Sequence, residues 1–176
     1  MKISGCYTLN GPREQVWPLI YDPVSLVSLI PGCEQIEQVS PDEYRGQMQV
    51  RLPAVSGVFH TYVKIIERDA PHCSRFEGEV HGSAGSIKGA AFFELKEVEP
   101  QQTLIIYEGQ AIISGALAKL NSRFVEGIAK TLIDQGLAKL NKQVQAQATS
   151  KPSTGQGPAQ DSLIRRVIRR VLAWLG

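Results

Sequence analysis

The sequence predicts an α+β fold: a curved, seven-stranded antiparallel sheet around one long C-terminal helix, with two short helices near the N-terminus. Three observations predict it. The stretch from Gly115 to about Ala148 is long and amphipathic, with apolar residues three and four apart. Residues 33–114 alternate between apolar and polar side chains in segments separated by tight turns. After residue 148 the composition changes abruptly, which places the boundary of one domain, 1–148, at that point.

Charge and cysteine content narrow the class of protein. The 176 residues carry a net charge of +2, but residues 1–145 alone carry fourteen Lys or Arg against sixteen Asp or Glu. A nearly neutral body argues against a nucleic-acid partner. The three cysteines are scattered, and only Lys2 stands between the first residue and Ile3, so we expect no disulfide framework and no signal peptide. With no apolar run of about 18 residues, the expectation is a cytoplasmic, reduced protein.

The first strand and the two short helices follow from the first thirty residues. Residues 2–10 alternate as a half-buried strand. Pro12 fits the first turn of a short helix, which Pro18 should kink or shorten. Asp22 is expected to cap a second short helix with Pro23 at its first position.

Six further strands are predicted between Cys33 and Ser114, and their short connections require antiparallel pairing. Each presents apolar residues on one face and charged or polar residues on the other, so the long helix is the natural cover for the apolar face. The predicted strands are 34–40, 43–52, 58–69, 73–82, 86–98 and 103–114.

The inward face of the predicted sheet carries unusually few large side chains. Glycine inside a strand costs stability and often marks a bend or the close approach of another group. We therefore expect a hydrophobic cavity between sheet and helix, although the same glycines could only relieve crowding where the sheet curls. The small inward residues are Gly5, Gly46, Gly78, Gly89, Ala91, Gly109 and Ala111.

The larger inward residues and the first half of the long helix are the predicted cavity lining. Two apolar stripes of the helix are expected to share one broad face that closes the cavity as a lid. The predicted lining residues are Tyr7, Met48, Val50, Phe59, Val63, Phe76, Val80, Ala91, Phe93, Tyr107, Ala111, Leu117, Leu120, Phe124 and Ile128.

Residues 149–176 carry the clearest local pattern in the sequence. Residues 149–160 read as a flexible linker, and residues 161–176 form an amphipathic pattern with four arginines opposite an apolar half that includes tryptophan. This pattern predicts a helix lying on an anionic membrane surface; docking on the protein's own surface or on an acidic partner are the alternatives. The predicted membrane-binding residues are Leu163, Ile164, Arg165, Arg166, Val167, Ile168, Arg169, Arg170, Val171, Leu172, Trp174 and Leu175.

No catalytic or metal-binding residues are predicted. His60, His72 and His81 lie on separate segments without metal-ligand spacing, and His60 and His81 have outward parity. The glycine-rich run 82–89 is followed by a strand rather than a helix, so it reads as a hairpin turn instead of a phosphate loop.

Several stretches together resemble the CoxG family of carbon monoxide dehydrogenase subunits, within the START-like, or SRPBCC, superfamily. They are KISGCYTLNGPREQVWPLIYDPVSL, IPGCEQIEQVSPDEY, GSAGSIKGAAFFEL and IIYEGQAIISGALAKLNSRFVEGIAKTL, within residues 1–142. The resemblance implies the helix-grip fold, with Pro31, Gly32 and Cys33 at the cavity mouth. It also implies an accessory role in bringing a molybdenum-containing carbon monoxide dehydrogenase, or a related hydroxylase, to the cytoplasmic membrane. The chain departs from the family pattern at Pro18, at Phe92 and at residues 135–137.

Three hypotheses on function follow. The first is a non-catalytic adaptor, peripheral on the inner face of the cell membrane, whose cavity takes a quinone or another isoprenoid or lipid and which has no covalent cofactor. The second is a START-like cavity enzyme such as a cyclase, dehydratase or hydrolase; it would need an inward acid or histidine. The third is an interaction module whose tail docks on an acidic protein.

Overall fold

A computed structural model describes residues 1–52 and 55–150, and the surroundings of the side chains of residues 1–51 and 55–147. Seven strands, three α-helices and one 3₁₀ turn make up this part, and the predicted α+β architecture is confirmed. In chain order the elements are β1 Lys2–Leu9, α1 Arg13–Tyr21, α2 Pro23–Leu29, β2 Cys33–Ser40, β3 Glu43–Leu52, β4 Val55–Asp69, β5 Cys73–Gly82, β6 Gly85–Glu99, β7 Gln102–Gly115, the 3₁₀ turn Ala116–Lys119 and α3 Ser122–Ser150.

All strands pair antiparallel in one sheet of order β1-β7-β6-β5-β4-β3-β2. Strands β2 to β7 therefore follow one another as a meander. The first strand joins the sheet beside the last, with Ile3 opposite Gly109 and Tyr7 opposite Ile105. This pairing brings the N-terminus of the chain next to the segment that leads into α3.

The two short helices begin and end as their local chemistry requires. Asp22 caps α2, because its carboxylate accepts hydrogen bonds from the amide of Ser25 at 2.9 Å and from its hydroxyl at 2.7 Å. Pro23 occupies the first turn of α2, as predicted. The expectation for Pro12 needs a correction, since this residue lies at the N-cap of α1 with extended backbone angles. Pro18 lies inside α1, which continues to Tyr21.

The packed core occupies one end of the molecule. Buried side chains of α1, α2 and β1 meet those of β6, β7 and the second half of α3. Two polar contacts fix this half of α3: the Asn141 side chain accepts from the Asn10 amide at 2.7 Å, and Gln143 donates to the Ser28 hydroxyl at 2.6 Å. The core residues are Leu9, Val16, Leu19, Leu29, Phe93, Leu95, Ile105, Leu137, Leu140 and Val144.

The long helix begins later than the sequence pattern suggested. Gly115 has a φ of 72°, which ends β7, and the 3₁₀ turn 116–119 follows. The side chain of Asn121 then accepts a hydrogen bond from the amide of Arg123 at 2.9 Å and caps α3. The expected single helix from Gly115 is therefore wrong at its start, because a left-handed glycine and a side-chain cap separate the turn from α3.

At its other end α3 extends to Ser150 and so includes the first two residues of the expected linker. The rest of the linker and the amphipathic segment 161–176 lie outside the described residues. They remain expectations from the sequence.

Candidate functional site

An apolar trough of about 220 Å³ lies on the inner face of the sheet. Its floor is a row of four residues on neighbouring strands: Val63 lies opposite Gly78, Gly78 opposite Gly89, and Gly89 opposite Ala111. Gly78 and Ala111 are small, and at Gly89 the two backbones lie so close that a Cβ would collide with the Gln110 carbonyl. The sheet therefore has a depression in its centre.

Larger side chains wall the depression on two sides. In the row toward the core, Phe76 lies opposite Ala91, Ala91 opposite Gly109, and Gly109 opposite Ile3. In the row away from the core, Val80 lies opposite Ile87. The described residues that line the trough are apolar except Gln110, whose side chain has outward parity on β7.

The glycines differ in what they do. A Cβ placed on Gly78 or Gly109 would make only ordinary van der Waals contacts, the nearest at 3.4 Å in each case, so a side chain can be added at both positions. A Cβ on Gly5 would instead collide with the ring of Tyr107, and one on Gly82 would come within 2.5 Å of Phe59. Gly78 and Gly109 thus border the trough, whereas Gly5 and Gly82 make room for aromatic rings.

Aromatic side chains separate the trough from the packed core. The ring of Phe76 lies 6.5 Å from that of Phe93, Phe93 lies 5.8 Å from Trp17, and Trp17 lies 5.1 Å from Tyr21. These tilted contacts are favourable ring geometries and give the trough a rigid lower wall. Burial raises the pKa of the Tyr107 hydroxyl, and the negative charge of Asp134 raises it further, so this phenol stays neutral over the physiological range.

A second cleft adjoins the trough where the chain passes from β7 into α3. It measures about 350 Å³ and is bordered by Leu117, Leu120 and Val125. Met1 and Ala111 line both the trough and this cleft. The trough and the cleft therefore adjoin each other at the N-terminal end of β1.

The first half of α3 stands apart from the trough. Phe124 and Ile128 border an open concavity of about 550 Å³ that is formed by α3 residues alone. With about 100° of rotation per residue, they lie about 140–180° around the helix from the buried Leu137. The two predicted stripes thus diverge: the one through Ile133 and Leu137 enters the core, and the one through Phe124 turns outward.

The fifteen predicted lining residues fall into separate groups. Five line the trough: Val63, Phe76, Val80, Ala91 and Ala111. Leu117 and Leu120 line the adjoining cleft, and Phe124 and Ile128 lie on the outer strip of α3. Phe59 and Phe93 are buried, Tyr7 and Tyr107 pack against the core, and Met48 and Val50 are half-buried on β3.

Five residues that line the trough were absent from the predicted lining and from the predicted small inward residues: Met1, Ile3, Ile87, Ala90 and Gln110. Ile3 and Ile87 share the inward parity of Tyr7 and Ala91, so strand alternation alone could have included them. Met1 reaches the trough because it extends the β1–β7 ladder, its carbonyl accepting a hydrogen bond from the Ala111 amide at 2.9 Å. Only the pairing of β1 with β7 could have revealed that contact.

The histidines lie outside the trough, and all three are exposed. His81 contacts Glu79 at 3.0 Å on the outer face, where Lys88 also pairs with Glu79. The hydrogen bonds from Lys88 and then His81 lower the pKa of the Glu79 carboxyl. Within residues 1–52 and 55–150, no group of three or more His, Cys, Asp or Glu residues is arranged to hold a metal ion.

A seven-stranded antiparallel sheet with one long helix and an apolar trough on its inner face is the START-like, helix-grip fold. More particularly, the chain belongs to the CoxG family of carbon monoxide dehydrogenase subunits, whose model matches residues 5–145. This is a family of accessory subunits, and its name implies association with carbon monoxide dehydrogenase. Family and fold together support an accessory protein that binds a ligand.

Solved structures agree on the fold. A conserved protein from Geobacillus kaustophilus matches with a TM-score of 0.80 and 25% identity, over 83% of this chain and 96% of that chain. A START superfamily protein from Mycobacterium smegmatis matches with a TM-score of 0.65 and 10% identity, over 82% and 97%. Protein CV1439 from Chromobacterium violaceum matches with a TM-score of 0.63 and 14% identity, over 82% and 97%.

A search of curated protein sequences finds no match to the chain. Among the described helices, none is long and apolar enough to cross a membrane.

Proposed function

We propose that this protein is a non-catalytic accessory protein that carries a quinone, or a related isoprenoid lipid, in its sheet-lined trough. It brings this ligand together with a carbon monoxide dehydrogenase-like molybdenum enzyme at the inner face of the cytoplasmic membrane. The observation that carries the proposal is the Gly78–Gly89–Ala111 floor, which leaves an apolar space in the centre of the sheet.

The size and lining of the trough suit the ring of a quinone. Ligand sites are mostly apolar concavities with few polar groups, commonly of ~300–1,000 Å³. The trough measures about 220 Å³, and its inward-facing lining residues are all apolar. It is too small for a long isoprenoid lipid and of the right order for a ring with a short stretch of chain.

The adjoining cleft supplies the remaining room. Because the cleft of about 350 Å³ shares Met1 and Ala111 with the trough, a chain attached to a ring in the trough can continue past Leu117 toward Leu120. Both residues are apolar, and each methylene buried there contributes ~0.8 kcal/mol. This path gives the chain of the ligand a defined exit between β7 and α3.

Quinone fits the role of the family. An enzyme that oxidises a small substrate in the cytoplasm and delivers the electrons to the membrane needs a membrane-dissolved acceptor. A carrier with an apolar trough can hold that acceptor within reach of the enzyme. The oxidoreductase supplies the redox chemistry, and the accessory protein supplies binding and position.

The sequence of residues 161–176 supports the membrane part of the proposal. Each arginine near an anionic leaflet contributes ~1 kcal/mol, and the apolar half of the segment adds burial in the interface. Four arginines on one side and a tryptophan among the apolar residues match such a helix.

Extraction of the purified full-length protein with organic solvent, followed by mass spectrometry, tests the ligand. We expect a quinone or isoprenoid lipid in near-stoichiometric amount. Recovery of no such lipid, together with no binding of a short-chain quinone by titration, would overturn this part. Turnover of the bound compound by the protein alone would favour the enzyme hypothesis.

Sedimentation with liposomes tests the membrane part. A chain ending at Thr149 should stay in the supernatant while the full chain pellets with anionic liposomes. Replacement of Arg165, Arg166, Arg169 and Arg170 by Glu should abolish pelleting, and replacement by Lys should retain it. If the truncated chain pelleted as well as the full chain, the tail would not be the membrane-binding element.

A further inference from the structure

The outer strip of α3 is an apolar helix face without a partner among the described residues. Phe124, Ile128 and Leu132 lie along it, and Phe124 is 46% exposed. An exposed apolar strip on a helix commonly packs against another protein surface or a membrane.

A glycine in the middle of the strip makes it suitable for another helix. No atom lies within 4 Å of a Cβ built on Gly127. Glycine in an exposed helix interior costs ~1 kcal/mol relative to alanine. Gly127 therefore weakens α3, although no described neighbour requires a residue without a side chain at this position. One turn on, the Thr131 hydroxyl donates to the Gly127 carbonyl at 2.9 Å, and Thr131 lines the same concavity as Phe124 and Ile128. The strip therefore has a notch that a second helix can approach closely.

Polar residues limit the strip to the first half of α3. The same helix face continues beyond Leu132 as Gln135, Lys139 and Lys142, and both lysines are exposed. An apolar helix docked on this face must lie over residues 124–132. A segment that starts from Ser150 has to pass over the polar half first.

We propose that the apolar half of residues 161–176 packs on the strip formed by Phe124, Ile128 and Leu132 when no membrane is bound. Ser150 lies ~27 Å along the helix axis from Leu132 at 1.5 Å per residue. Residues 151–160 can span up to ~34 Å, so a segment starting at Asp161 reaches Leu132 and runs back toward Phe124. As a helix, its sixteen residues are ~24 Å long and cover the whole strip.

In this docked state, residues 161–176 present their two faces differently from the way they would on a membrane. The apolar half that would enter the lipid interface faces α3, while the four arginines on the opposite half stay in solvent and remain available to anionic lipid. The two positions exclude each other. The inference rests on the proposed membrane function for its second state: arrival at the membrane uncovers the strip, next to the cleft at Leu120 and Val125.

Tryptophan fluorescence of the full-length protein tests the docked state. With Trp17→Phe in every sample, Trp174 is the single tryptophan. Without lipid, we expect blue-shifted emission that Phe124→Gln/Ile128→Gln moves to that of a water-exposed indole. The matched control Val24→Gln/Ile66→Gln removes two apolar side chains that are 80% and 48% exposed on other elements, and should leave the emission unchanged. Thermal melts verify that all variants fold.

Liposome titration of the same proteins gives the second readout. If the docked state is favoured about ten to one, it lowers the apparent membrane affinity about tenfold, so the strip variant should bind anionic liposomes about tenfold more tightly than its parent. Equal, water-exposed emission in parent and strip variant overturns the inference. A shift that disappears on dilution also overturns it, because the partner is then a second copy. A strip-dependent shift without liposome binding by any variant supports docking and refutes only the membrane proposal.

Discussion

Filling the floor of the trough at Gly78 and its adjacent wall at Gly109 should weaken ligand binding strongly without unfolding the protein. The double variant Gly78→Val/Gly109→Val adds three carbon atoms at each of two inward positions. Both glycines lack a positive φ, and their Cβ positions have ordinary contact distances, so the backbone accepts the change. Valine also favours strand conformation over glycine.

The expected size of the effect follows from the trough volume. A water molecule takes up ~30 Å³ of liquid, and a methyl group is of similar size, so six added carbons occupy ~180 Å³. The trough measures about 220 Å³. A ligand excluded from it loses the burial of at least four carbon atoms, ~3 kcal/mol at ~0.8 kcal/mol each, or ~100-fold in Kd.

Calorimetric titration with a short-chain ubiquinone measures the loss, and thermal denaturation verifies the fold. Glu77→Val/Glu108→Val is the matched control, since it places the same side chains one position along the same strands on the exposed outer face. Quinone affinity within a few-fold of the parent in the filled variant would refute the assignment of the ligand to the trough.

Two further predictions concern stability. Gly5→Ala should lower the free energy of unfolding by ~1–3 kcal/mol through overpacking against the Tyr107 ring, and Tyr107→Leu should recover part of this loss; additive losses in urea denaturation would argue against the contact. Asp22→Ala should cost ~1 kcal/mol at neutral pH through loss of the α2 cap. Because hydrogen bonds from Ser25 lower the pKa of Asp22 below its ordinary value near 3.8, this contribution is present above that value and is lost as the pH falls through the lower folded-state pKa. A parent-variant difference that persisted well below pH 3 would contradict the assigned role.

Local patterns in the sequence were sufficient to predict most strands of the sheet and which of their residues face inward. Strand alternation placed Phe59 and Ile65 inward and His60 outward, as observed, because side chains alternate with a period of two and one face is buried. The Asp22-Pro23 pair likewise predicted the start of α2, because helix capping depends only on residues close in sequence.

The position of α3 could not be predicted in the same way. An i, i+4 stripe rotates by about 40° at each step, so Phe124 and Val144 cannot face the same surface of a straight helix. Which end of the stripe meets the core depends on where α1 and α2 hold α3, and Gly136 illustrates this, since its Cβ would come within 3.3 Å of the Leu29 carbonyl. That approach is a long-range contact that periodicity does not report.

The glycines illustrate a related limit. Gly5 and Gly109 look alike in the sequence, each inward on an alternating strand. The space at Gly5 is filled by the Tyr107 ring, whereas a Cβ on Gly109 would make only ordinary van der Waals contacts. The difference arises from cross-strand neighbours, which follow from the β1–β7 register.

Methyl NMR of the full-length protein during titration with a short-chain quinone tests the central claim most directly. If the trough holds the ligand, the methyl signals of Ala91, Ala111 and Ile87 shift in a saturable way, and that of Ile66, which is 48% exposed and lines neither the trough nor the adjoining cleft, stays in place. Unchanged trough methyls, with shifts confined to Ile128 and Leu132 on the outer strip of α3, would contradict the account.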